Sequence, residues 1–210
     1  YNELFRNNKR STLIELHSLF ITPVFSVNFT TGDYGDLIKA VREVQKEDPK
    51  GIQKTNQGGW HSRDDLHEDK RFGVIKADII HYCIEALDHL RVEDHCEPEL
   101  TGMWAMINGP GTYNKLHSHP HNYLSGAFYL QVPENSGKLT FHNPRPQSEV
   151  LAPPMKTDQS IHLAPRVGWQ PKVKDLLIFP AWLNHEVEIN NSKEDRIMLS
   201  FNAKIQRKLN

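Results

Sequence analysis

Only two cysteines, Cys83 and Cys96, occur in 210 residues. Two are too few for a disulfide framework, and they fit reduced thiols in a cytoplasmic protein. Charge of one sign is also missing. The 25 basic and 26 acidic residues leave a formal net charge of -1, which argues against a general nucleic-acid partner. No apolar run approaches the roughly 18 residues that a membrane-spanning helix needs. The opening stretch Tyr1–Ser11 is polar and charged, unlike a signal peptide. No internal repeat or low-complexity tract interrupts the chain. What remains is an ordinary soluble composition, 38% hydrophobic and 24% charged, at a length suited to one domain with its own core.

The unusual abundance is histidine, with 12 residues. Histidine is the commonest metal ligand among side chains, so position decides what the count means. Up to residue 100 the pattern is largely helical. Leu19–Val27 reads as a strand, with Pro23 at an edge or bulge. Leu37, Ile38, Val41 and Val44 share a helical face that ends before Asp48-Pro49, and Asp33 or Asp36 is the expected cap. A polar loop follows. A second helix fits Phe72 to about Arg91, with Ile75, Ile79, Cys83, Leu87 and Leu90 as its buried stripe.

Beyond residue 101 the texture changes. Short apolar runs alternate with Gly, Pro and Asn clusters. The expected strands are Gly102–Asn108, Tyr123–Val132, Lys138–His142, Glu149–Leu151, Ser160–Ala164, Asp175–Phe179, His185–Ile189 and Arg196–Ala203. About eight short strands at this spacing indicate a sandwich or barrel. The reading is a single domain over 1–210, mainly β with flanking helices. Residues 1–100 supply helical support and edge strands, and 101–205 supply the jelly-roll core.

His117-Ser118-His119 is the centre of the functional reading. Residues i and i+2 of a strand project from one face, so two imidazoles at that spacing can reach one ion. A third ligand must come from another strand. His185 is the best candidate, because His185, Val187 and Ile189 alternate as an inward-facing edge would. Three ligands leave coordination positions open, as a catalytic metal requires. His119-Pro120-His121 is a competing pair, so His119 and His121 both stand as the second ligand. His61, His67, His81, His89, His95, His142 and His162 lack such spacing and read as surface or capped residues.

Arg196 follows His185 by eleven residues, and Asn190-Asn191-Ser192-Lys193 supplies a turn between them. The expectation is two adjacent antiparallel strands, with Arg196 beside the metal ligand. An unpaired arginine inside a barrel is costly, and its planar fork suits a carboxylate. A dicarboxylate cosubstrate could then bind the metal at one end and Arg196 at the other. Ser200, on the same face, could add a hydroxyl.

These motifs resemble the 2-oxoglutarate/iron(II) oxygenase superfamily, in particular a prolyl-hydroxylase-like branch found in bacteria and marine phages. The resemblance is carried by five pieces of sequence: Asn56-Gln57-Gly58-Gly59-Trp60-His61-Ser62; His117-Ser118-His119-Pro120 followed by Leu124–Leu130; Gly137-Lys138-Leu139-Thr140-Phe141; Phe179–Val187; and Arg196. It implies a double-stranded β-helix, a distorted jelly roll. It further implies that Fe(II) is held by His117 and His185, with His119 standing where most of the superfamily has Asp or Glu. Arg196 matches the arginine that grips the distal carboxylate of 2-oxoglutarate. Tyr129 matches a tyrosine over the cosubstrate, and Asn108 is a further candidate facing the same cavity. The implied reaction consumes O2 and 2-oxoglutarate, hydroxylates a substrate and releases succinate and CO2.

Two other readings compete. A cupin-type three-histidine enzyme fits Gly111 followed by His117-x-His119, and Pro180 with His185. It lacks the expected Glu, has Trp182 in place of a glycine and gives Arg196 no role. A non-enzymatic jelly-roll binding module is the other. For the oxygenase, a peptidyl or amino-acid substrate is favoured. The loop Gly58–Leu66, with Trp60 and Arg63, either borders the site or is an ordinary surface loop. A small C2 homodimer would be unsurprising.

Overall fold

The computed structural model describes residues 15–30, 34–150, 153–154 and 163–208. In chain order the elements are β1 (Phe25–Asn28), α1 (Gly35–Glu47), β2 (Asn56–Gln57), β3 (Trp60–His61), α2 (Gly73–His89), β4 (Cys96–Asn108), β5 (Tyr113–His117), β6 (Leu124–Gln131), β7 (Leu139–His142), α3 (Gln147–Val150), β8 (Arg166–Trp169), β9 (Asp175–Pro180), β10 (His185–Val187) and β11 (Arg196–Arg207). Two short 3-10 turns, Leu66–Glu68 and Lys70–Phe72, lead into α2.

The strands form two antiparallel sheets. One has the order β1-β9-β6-β11-β4-β3 and the other β2-β5-β10-β7-β8. Facing each other, they make the double-stranded β-helix expected from the sequence.

Side-chain alternation divides the six-stranded sheet into two cores. Met103, Ala105 and Ile107 of β4, Leu124, Phe128 and Leu130 of β6, Leu176 and Ile178 of β9, and Ile197, Leu199 and Phe201 of β11 face outward. They pack against Val41 and Val44 of α1 and Ile75, Ile79, Cys83 and Leu87 of α2. The intervening residues Trp104, Met106, Ala127, Tyr129, Leu177, Phe179 and Met198 face the other sheet, where Leu139, Phe141 and Val187 meet them. The central strands therefore read as nearly continuous apolar runs, because both faces are covered. Gly126 is required at a tight crossing: a Cβ there would lie 2.3 Å from the Leu177 carbonyl oxygen.

Both long helices form where the spacing predicts. α1 starts after Tyr34, without a side-chain cap; Asp36 sits in its first turn and Asp33 lies outside the described residues. Cys83 is a buried, unpaired thiol pushed up to about 12 by burial, so it is an inert core residue.

Some strand expectations need correction. Residues 147–150 form a helical turn where a strand over Glu149–Leu151 is expected, and Leu151 lies outside the described residues. Of the expected strand Ser160–Ala164, residues 160–162 lie outside the described set and 163–164 are not extended in a sheet. The segment Leu19–Val27 is a strand only from Phe25. β5 and β8 go undetected because neither alternates in the usual sense. β5 buries Asn114 and exposes Leu116, and β8 is an edge strand exposed at Arg166, Val167 and Gly168.

Candidate active site

A cavity of about 500 Å³ opens between the sheets. His117, His119 and His185 stand in its wall. β10 lies against β5 with His185 directly opposite His117, so the pairing register brings two ligating side chains together. The His117 and His185 rings are 4.3 Å apart, and His119 lies 4.9 Å from the first and 5.1 Å from the second. One nitrogen from each falls within 4.8 Å of the others, close enough to hold one ion.

The strand argument for His119 is only half right. β5 ends at His117, and His119 sits beyond it, fixed by its backbone N–H donating to the Ala181 carbonyl at 2.8 Å. Its ring reaches the cluster from a loop. His121, the competing candidate, lines the cavity but is exposed and outside the three-histidine group.

Burial keeps these imidazoles neutral. It pushes His185 down to about 3, helped by the field of His117, and His119 down to about 4, again with His117 adding to it. His117 is lowered for the same reason, opposed by its bond to the Lys115 carbonyl. Neutral rings present lone pairs at pH 7 without losing a proton, which suits a borderline divalent ion such as iron(II).

Arg196 is 1% exposed, yet it is not where the hairpin argument puts it. β10 and β11 belong to different sheets, so the His185–Arg196 interval is a crossing between sheets. Arg196 instead pairs with Asn108 of β4. On the inward face of β11 it is followed by Met198, Ser200 and Asn202, all of which line the cavity. Its Nη1 donates to the carbonyls of Ser136 at 2.7 Å and Gly137 at 3.2 Å. Its Nε and Nη2 are buried without a partner. Two free donors on a planar fork match the two oxygens of a carboxylate. Burial lowers the guanidinium pKa, and Tyr129 counters part of that effect. Gly137 holds its carbonyl in place through a turn at φ +87°, where a Cβ would strike the Glu188 carbonyl at 2.5 Å.

Tyr129 is fully buried on the same side and lines the cavity. Burial pushes its phenol up to about 12, with the charge of Arg196 acting in the opposite sense, so it remains a hydroxyl. Ser200 also lines the cavity. Asn108 is buried beside Arg196, and both lie just behind the residues that form the cavity wall. Its Nδ2 donates to Asn114 Oδ1 at 3.1 Å and its own Oδ1 has no partner.

His61 and Asp64 are among the cavity residues that sequence reasoning misses. His61 is 3% exposed and stacks on Trp104, ring centroids 5.6 Å apart at 4°. Its Nδ1 lies 2.6 Å from the Ser62 carbonyl, and its Nε2 lies 4.0 Å from Asp64 Oδ1. Asp64 pairs with Lys54 through Oδ2, while its Oδ1 is buried without a partner. The loop Gly58–Leu66 does border the site, but through these two residues. Trp60 points into the helix-facing core and donates to the Asp48 carbonyl at 2.9 Å, and Arg63 turns to Asp65 and Asp69. Alternation could have revealed His61, since in β3 it must face opposite to Trp60.

Fold and donor set together define a class, the non-haem metal enzymes built on a double-stranded β-helix. Residues 102–202 match the family described as "Putative 2OG-Fe(II) oxygenase". That match spans just under half of the chain, and over it the chain is similar to the 2-oxoglutarate- and iron(II)-dependent oxygenases. No curated protein sequence matches it. Among solved structures, it is similar to the α-ketoglutarate-dependent epimerase SnoN of nogalamycin biosynthesis, with TM-score 0.58 and 13% identity over 90% of this chain and 82% of that one. A prolyl-4-hydroxylase from Pseudomonas putida gives TM-score 0.55 and 14% identity over 87% and 92%. HygX from Streptomyces hygroscopicus, solved with nickel and 2-oxoglutarate, gives 0.56 and 12% over 87% and 83%. At such identities the likeness speaks for the fold alone. Among the described residues, no helix is long and apolar enough to cross a membrane.

Proposed function

We propose that the chain is a hydroxylase whose iron(II) is held by Nε2 of His117, His119 and His185. In this reading Arg196, assisted by Tyr129 and Ser200, grips the distal carboxylate of 2-oxoglutarate. The observation that carries the reading is the buried guanidinium with two unpartnered nitrogens, on the strand face whose next residues line the histidine cavity. A cupin-type enzyme without 2-oxoglutarate leaves that costly group without a purpose. Asn108 pairs with Arg196 from β4, and its unpartnered Oδ1 makes it a further candidate beside the carboxylate.

When bound, iron(II) with 2-oxoglutarate and O2 supplies the oxidising chemistry that yields succinate and CO2 and inserts one oxygen atom into a substrate C–H bond. The protein's part is to bind, orient and shield. The Lys115 and Leu183 carbonyls hold the Nδ1 protons of His117 and His185, aiming both Nε2 atoms inward. The neutral Tyr129 phenol can donate to a carboxylate without adding charge. Trp104, Phe179 and Met198 keep that end of the cavity apolar. One unit over 1–210 is favoured, because the helices cover the back of the sheet whose front carries the site.

A peptidyl or amino-acid substrate is the favoured class. With its Nδ1 donating to Ser62, His61 offers Nε2 as an acceptor near the unpartnered Asp64 Oδ1. Two acceptors in one wall suit an N–H donor, which a peptide supplies. The similar solved structures include prolyl hydroxylases from Pseudomonas putida and from Paramecium bursaria Chlorella virus-1. The test is anaerobic addition of 2-oxoglutarate to the iron(II) protein, followed by oxygen and a mixture of peptides and free amino acids. A visible charge-transfer band, then succinate and a product heavier by one oxygen, are expected. A protein that neither binds 2-oxoglutarate nor forms succinate refutes the assignment of these residues.

A further inference from the structure

The three imidazoles are not held alike. His117 and His185 each set Nδ1 against the main-chain carbonyl two residues earlier, at 2.7 Å and 2.8 Å. A carbonyl only accepts, so both Nδ1 atoms carry the proton and both Nε2 lone pairs are free. His119 lies past the end of β5, and the group near its Nδ1 is the side-chain amide of Asn202, with Nδ2 at 3.4 Å. The other end of that amide, Oδ1, is buried with no donor. Asn202 is on the inward face of β11, lines the cavity, and has its carbonyl bonded by Thr101 Oγ1 at 3.3 Å.

An amide can present either end, and the two ends have opposite consequences. An N–H facing Nδ1 forces the proton onto Nε2, where it blocks a metal. A half-turn about Cβ–Cγ brings Oδ1 to Nδ1. The oxygen then gains the donor it lacks, and Nε2 is freed.

We propose that Asn202 is a positioning residue for the metal centre, its carboxamide oxygen accepting from His119 Nδ1–H and so selecting the tautomer that can ligate. The inference rests on His119 being a ligand. It makes the third imidazole dependent on a side chain two strand positions beyond Ser200. A backbone carbonyl cannot turn away; this amide can, so metal affinity is tuned here and not at His117 or His185.

The test uses the full chain, stripped of metal and titrated with Co(II). Wild type should show three exchangeable imidazole N–H resonances shifted by the paramagnetic ion. Asn202→Leu should lose one and bind Co(II) about ten- to a hundred-fold more weakly. Asn202→Asp, which keeps an acceptor, should recover both the resonance and the affinity. If Asn202→Leu does not fold, Asn202→Ser takes its place. An affinity within two-fold of wild type with all three resonances overturns the proposal. So does an equal loss in the Leu and Asp variants, which would mark a structural role. His119→Ala separates the layers: if it binds Co(II) as wild type does, the ligand assignment itself is wrong, whereas a failure confined to Asn202 leaves that assignment standing.

Discussion

The two faces of the six-stranded sheet are built from the same strands and obey opposite rules. Toward the helices stand Leu, Ile, Phe and Ala, closely packed and free of charge. Toward the cavity, alternate residues of β11 are Arg196, Met198, Ser200 and Asn202, and two of these carry buried polar atoms without partners. The outer face therefore contributes the stability, and the inner face keeps polar groups placed for binding, Arg196 toward a ligand and Asn202 toward His119. The difference between the faces teaches where function sits: each lone buried donor or acceptor costs about 1–3 kcal/mol, which a packed core on the other side of the strand can offset.

The largest expected break of this contrast is on the outer face. Phe128→Ala should destabilise by about 3–5 kcal/mol, lowering the melting temperature roughly 6–20 °C in calorimetry. The molecules that remain folded should still bind metal. On the inner face, Arg196→Met should do the reverse. It should weaken 2-oxoglutarate binding to the metal-loaded protein by at least about a hundred-fold, near 2.7 kcal/mol in isothermal titration, while leaving the apo-protein as stable or more stable. A marked fall in apo stability would show that Arg196 serves the fold.

pH sharpens the comparison further. His119 and His185 have their folded-state pKa values depressed to about 4 and about 3. An unfolded histidine titrates near 6.5. Below that value the unfolded chain binds more protons, so apo stability is full above it and falls as pH drops toward 4. The slope is up to about 1.4 kcal/mol per pH unit for each group. Bound metal keeps the folded imidazoles unprotonated, so it should raise stability while leaving the upper part of that slope unchanged and extend the slope below pH 4, which denaturant titration with and without Co(II) would reveal. A smaller effect is expected for His119→Asp, which should keep iron binding within about ten-fold, because carboxylate and imidazole both ligate iron(II). Smallest of all, Arg63→Ala removes an exposed ion pair to Asp65 and a half-buried one to Asp69, which keeps Arg71, and should cost about 1 kcal/mol without changing metal affinity.

The sequence by itself determined the local rules. Apolar spacing placed α1 and α2 to within a residue or two, and short apolar runs marked β4, β6, β9 and β11 as strands. Histidine spacing picked out His117, His119 and His185, and a lone arginine after a turn picked out Arg196. What the tertiary structure decided were the relations between distant segments. Only the register of β5 against β10 sets His185 opposite His117. Only the crossing between sheets sends Arg196 to the partner of Asn108 rather than beside His185. His61, Asp64 and Asn202 look like any polar surface residues until pairing turns them inward. Spacing along a chain fixes which face a side chain occupies, but hydrogen bonds between strands far apart in sequence fix what that face meets.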